Sequence, residues 1–89
     1  LPKMIEKMIK HSEKVLEKVK ETVNNSENQE ANDLLAEGVA QLERGKQLFQ
    51  TGEIAQAKKE IKNALKLIHK AARIAYKAKK GKTKNKVNP

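Results

Sequence analysis

Apolar side chains recur along residues 3–23 at Ile5, Ile9, Leu16, Val19 and Val23, with Ser12 in the gap. Steps of three and four residues trace one face of a helix rather than the alternation of a strand. Met4, Met8 and Val15 widen the stripe to the span of a core-facing helix. Asn24-Asn25-Ser26 then interrupts it. Ser26 followed by Gln29 has the spacing of a capping box, in which hydroxyl and amide each satisfy an otherwise unpaired backbone donor. The pattern therefore predicts a turn at 24–26 and a second helix over residues 27–50.

The second stripe is Ala31, Leu35, Gly38, Leu42, Gly45 and Phe49, flanked by Leu34, Val39 and Leu48. A glycine inside a helix costs about 1 kcal/mol relative to alanine. Gly38 and Gly45 lie one heptad apart on the buried line, which points to close approach by a neighbouring helix. Thr51-Gly52 ends the element, with Gly52 suited to the left-handed residue that follows a helix. A third helix is expected over residues 53–79. Its stripe is Ile54, Ala57, Ile61, Ala64, Ile68, Ala71, Ala75 and Ala78, with Leu65, Ala72 and Tyr76 alongside.

Folding the second helix back through Thr51-Gly52 pairs Phe49 with Ile54, Gly45 with Ala57, Leu42 with Ile61, Gly38 with Ala64, Leu35 with Ile68 and Ala31 with Ala71. Large residues would face large and small would face small. The expected fold is all-α, an up-down-up three-helix bundle with a tightly packed hairpin between helices 2 and 3. Gly38, Gly45, Gly52, Ala57, Ala64 and Ala71 are the expected packing positions. The bundle would occupy residues 1–80, and residues 81–89, mostly Lys and Asn, read as a disordered basic tail.

Composition matters because it leaves order to patterning. With 37% hydrophobic and 35% charged residues and a mean hydropathy of −0.82, the 89-residue chain lies near the disordered border. It has no cysteine, which excludes disulfides and thiolate chemistry. No apolar run approaches the ~20 residues that span a bilayer. The chain begins Leu1-Pro2 rather than Met, which fits a processed mature protein or a fragment. Processing would place it in the periplasm or outside the cell.

The hairpin residues carry two resemblances. Gly45, Leu48-Phe49, Gly52, Ile54, Ala57, Ile61, Ala64 and Leu65 resemble a single tetratricopeptide-type helical hairpin. With one copy, that resemblance implies a packing solution rather than a peptide-binding groove. Gly45-Lys46, Thr51-Gly52 and Ala57, followed by repeated alanines, are similar to the small periplasmic metal-binding helical hairpins, which implies a metal-binding role.

Charge is distributed unevenly. Residues 1–26 carry a net +2, residues 27–52 a net −3, residues 53–76 a net +4, and residues 77–89 six lysines. Lys59, Lys62, Lys66, Lys70, Arg73, Lys77 and Lys80 fall on one outer face of helix 3 and lead into Lys82, Lys84 and Lys86. Such a face either keeps a weakly hydrophobic protein soluble or binds a polyanion: nucleic acid, anionic lipid or an acidic protein. Arginine and aromatic residues are too few for base readout or stacking, so binding would be blind to sequence. Met4, Ile5, Met8 and Ile9 are wide for one seam and offer a self-association face for a homodimer.

Other chemistry is sparse. His11 and His69 are the only imidazoles. In parallel helices 1 and 3, His11 would lie level with about residue 63, roughly 9 Å along the axis from His69. That is too far for one ion, so the pair is a weak metal candidate. Glu27, Glu30, Asp33 and Glu37 cluster in the first turns of helix 2, where the helix dipole favours carboxylates. No nucleophile–base set or phosphate loop is present, and exposed carboxylate pairs lack the burial that shifts a pKa. The expected function is a non-enzymatic structural or interaction module that needs no cofactor. A sequence-nonspecific polyanion binder and a small periplasmic metal-binding protein are the alternatives.

Overall fold

Three helices form where the apolar stripes place them: α1 (Lys3–Ser26), α2 (Gln29–Gln50) and α3 (Ile54–Val87). The computed structural model describes the backbone of residues 3–87 and the side chains of residues 3–78. The protein is an all-α three-helix bundle in which α2 and α3 pack most tightly. It is a rod, with principal extents of 57 × 19 × 15 Å.

Two apolar clusters set the topology. Val19 and Val23 of α1 meet Ala31 and Leu35 of α2 and Ile68, Ala71 and Ala75 of α3. Ile5 meets Leu42, Ile61 and Ala64. The start of α1 thus packs on the end of α2 and the start of α3, which is the up-down-up order. Ile61 and Ile68 are wholly buried, and burying a side chain of that size contributes about 1.5–3 kcal/mol.

Gly38 lies against Ala64, as the pairing expects, but also against Ile68, and Gly45 lies against Ile61 rather than Ala57. A Cβ at Gly45 would lie 2.7 Å from Ile61 Cγ1, and one at Gly38 would lie 2.9 Å from Ile68 Cγ1. Each glycine is a notch that receives an isoleucine, because a missing Cβ opens more depth than two facing methyl groups would. The backbone lies just behind: Ala64 O is 3.3 Å from the Gly38 position and Ile61 N is 3.3 Å from the Gly45 position. Ala57, Ala64 and Ala71 are fully buried along the same seam. Ile54 is 38% exposed at the start of α3, while Phe49 is half-buried against the cluster of Ile5, Leu42, Ile61 and Ala64.

Gly52 does not pack either. Nothing lies within 4 Å of where its Cβ would be, and its φ is +86°. Its role is to end α2: Gly52 N–H donates to Phe49 O at 3.2 Å and Glu53 N–H to Leu48 O at 2.9 Å. This is the paired closure of a Schellman motif, which glycine enters without steric cost.

The first turn is later and shorter than expected. α1 continues through Asn24 and Asn25 to Ser26, which is buried and turns its hydroxyl back to Val23 O at 2.7 Å. Ser26 lies on the heptad line of Ile5, Ser12 and Val19, so packing holds it in the helix. The chain reverses at Glu27, whose φ is 53°. Asn28, not Ser26, is the N-cap of α2, accepting from Ala31 N–H at 2.9 Å through Oδ1. At the other end α3 passes through Gly81 to Val87 instead of stopping near residue 79. The side chains of the basic tail read at 81–89 lie outside the described residues.

Two stability measurements test this packing. Gly45→Ala gains helix propensity of about 1 kcal/mol but overpacks Ile61 at a cost of about 1–3 kcal/mol, so a lower urea midpoint is expected. The loss should shrink in an Ile61→Ala background, and equal losses in both backgrounds would contradict the notch. Ser12 is wholly buried and its hydroxyl has no hydrogen-bond partner among the described residues. Ser12→Ala should therefore raise stability by about 1 kcal/mol, whereas a loss of stability would mean that the hydroxyl is paired in solution.

Candidate functional site

The basic residues of α3 sit opposite its buried seam. With Ala57, Ile61, Ala64, Ile68 and Ala71 held inward, the 3.6-residue period turns Lys59, Lys62, Lys66, Lys70, Arg73 and Lys77 straight outward, and all six are exposed. From Lys59 to Lys77 they cover about 27 Å of helix. Among the described residues, the ion pairs join Arg44 to Glu60 at 3.4 Å and Lys46 to Glu13 and Glu43 at 2.7 and 3.2 Å. None of the six outward cations takes part. Glu60 points toward α2, away from them. The side chains of Lys80, Lys82, Lys84 and Lys86 lie outside the described residues.

The proposed self-association face is broken up by the fold. Ile5 is 2% exposed, in the core with Leu42 and Ile61, because it begins the heptad line that Val19 continues. Met8 and Ile9 are half-buried against that cluster, and Met4 is 62% exposed. His11 and His69 are both exposed. The shared clusters of Ile5 with Ile61 and Val19 with Ala71 and Ala75 put His11 level with about residues 65–67, nearer to His69 than the heptad count suggested. Among the described residues no three His, Asp or Glu side chains converge as a metal site. Glu30, Asp33 and Glu37 are exposed, with Gln29 Nε2 donating to Asp33 Oδ1 at 2.9 Å.

A shallow groove of about 410 Å³ between α2 and α3 is lined by Arg44, Leu48, Gln56, Lys59 and Glu60. No helix is long and apolar enough to cross a membrane among the described residues.

Sequence reasoning missed the bridge at Lys46. Its Nζ joins Glu13 of α1 to Glu43 of α2. The local pair Glu43–Lys46 has helical i, i+3 spacing and was visible, but Glu13 lies 33 residues away and comes close only through the fold. The hydrogen bonds to Glu13 and then Glu43 raise the Lys46 pKa above its ordinary 10.5, against a smaller opposing effect of burial.

A lysine whose pKa rises on folding contributes stability below its unfolded pKa and loses it as pH climbs through the raised value. The bridge is largely solvated, so Lys46→Gln should cost only tenths of a kcal/mol near neutrality. The difference from the unaltered protein should disappear as pH rises beyond 10.5, which denaturant titrations at several pH values would reveal. Comparison of the chain with protein-family models, with curated proteins and with solved structures finds no match.

Proposed function

We propose that this protein is a non-enzymatic interaction module that docks a polyanion on the outer face of α3. The observation that carries this reading is the line of six exposed cations from Lys59 to Lys77, none engaged by a carboxylate among the described residues. Cations held about 5–6 Å apart along a rigid rod lie within the ~8 Å Debye length at physiological salt, so they repel one another. A polyanion relieves that repulsion and releases its own counterions. Arg44 and Lys46, by contrast, are neutralised within the fold.

The face is lysine except for Arg73, and lysine binds phosphate or carboxylate as a point charge without reading shape. Recognition is therefore electrostatic and independent of sequence. The reading in which copies associate through α1 has less support, since Ile5 belongs to the core and only Met4 of that set is exposed.

Fluorescence anisotropy with a labelled polyanion, such as heparin or duplex DNA, tests the proposal. Affinity should fall by orders of magnitude between 50 and 200 mM salt. Lys66→Glu with Lys70→Glu should abolish binding while leaving the helical circular dichroism and melting temperature in place. No binding at low salt, or binding indifferent to this double change, would reject the role of α3.

A further inference from the structure

We infer that the docking surface spans two helices, α1 and α3, and that the polyanion it fits is duplex nucleic acid held by the phosphates of both strands. This rests on the polyanion reading of α3 and extends it.

Two ion pairs orient the helices. The bond from Lys46 to Glu13 turns one flank of α1 toward α2. At about 100° per residue, Glu6 and Glu17 share that flank, while Lys7, His11, Lys14 and Lys18 fall on the opposite one, toward α3. The bond from Arg44 to Glu60 turns one flank of α3 toward α2 in the same way. His69 and Tyr76 then lie on the flank that faces α1, and Lys62 and Arg73 lie on the α1 side of the outward face. Both assignments agree with α1 and α3 as parallel neighbours.

The apolar clusters set the level. Ile5 packs with Ile61, and Val19 with Ala71 and Ala75. Lys7 is therefore about level with Lys62, and Lys18 with Arg73. These side chains are exposed, and none is in an ion pair among the described residues. The groove between α1 and α3 has cations on both rims, and on α1 Glu17 lines the same pocket as His11, Lys14 and Lys18. Glu21 sits on the outermost line of α1, beyond the rim.

The dimensions suit a duplex. Packed helix axes lie about 8–10 Å apart, and the grooves of B-form DNA are about 6 and 12 Å wide. Two parallel rails at that separation can reach phosphates on both sides of one groove. Along about 27 Å of contact a duplex presents roughly 16 phosphate charges, ample for both rails. A bilayer fits less well. Helices that lie on membranes insert an apolar face, and the apolar face of α3 is consumed by the core. The large apolar side chains exposed on this surface among the described residues are Tyr76, 59% exposed, and Met4, 62% exposed, one heptad before His11.

The test uses the full chain, a mixed-sequence 20-base-pair DNA duplex, and vesicles containing phosphatidylserine. Each lysine–phosphate contact contributes about 0.9 to the slope of log affinity against log salt. Lys7→Gln, Lys14→Gln and Lys18→Gln combined should lower the duplex slope by about 2–3, with melting unchanged. Should that variant fold poorly, chemical labelling of the unaltered protein replaces it, and duplex should shield Lys7, Lys14 and Lys18 from an amine reagent. An unchanged slope, or full labelling, with α3 changes still weakening binding would overturn the two-helix surface and leave the α3 reading standing. Absence of duplex binding by the unaltered protein even at low salt would reject both. Vesicle affinity equal to or above that for duplex would overturn the choice of partner.

Discussion

Everything in this bundle depends on how closely α3 approaches α2 at Gly38 and Gly45. Ile61 and Ile68 occupy the space that two β-carbons would otherwise fill, with backbone atoms immediately behind them. Two wholly buried isoleucines therefore become the axis of a narrow rod. In a chain with so little apolar surface, this depth matters more than the number of hydrophobic residues. A loose seam with the same side chains would leave them half wet. The glycines weaken α2 as an isolated helix, and the burial they permit offsets that weakness.

The close hairpin leaves one shallow valley for α1, which settles where α1 can lie and which of its residues are covered. Ile5, Val19 and Val23 fill the valley, and Ser12 enters it although its hydroxyl finds no partner among the described residues. Val15 and Leu16, beside Ser12, supply the apolar contacts of the middle of α1. Ser26 is carried on the same line, so α1 runs to the edge of the reversal and the turn shrinks to Glu27 and Asn28.

Charge then sorts according to the packing. The two cations of the acidic middle helix meet acids of its neighbours, Lys46 with Glu13 across one interface and Arg44 with Glu60 across the other. Glu13 of α1 and Glu60 of α3 are held on the α2 side, and the cations from Lys59 to Lys77 remain on the side of α3 turned away from it. The basic character of the outer surface is a consequence of where the acids go. The polyanion proposed as partner would meet the positive charge of α3 that no carboxylate engages among the described residues.

The helices, their order and the hairpin were legible in the sequence, because a 3.6-residue period and a Thr51-Gly52 stop act locally. The outward line from Lys59 to Lys77 was legible for the same reason: once the inward residues of a helix are known, the outward ones follow. Which residue opposes Gly38 was not legible, since period alone cannot separate a small-on-small register from a notch filled by Ile68. Nor was the cap: Ser26 and Asn28 both suit that position, and only burial of Ser26 chose between them. Ile5 looked available on α1 until the valley covered it. The pairing of Glu13 with Lys46 needed the tertiary fold outright. Periodicity is a property of one helix, whereas register, capping choice and rim charge depend on the neighbour it meets.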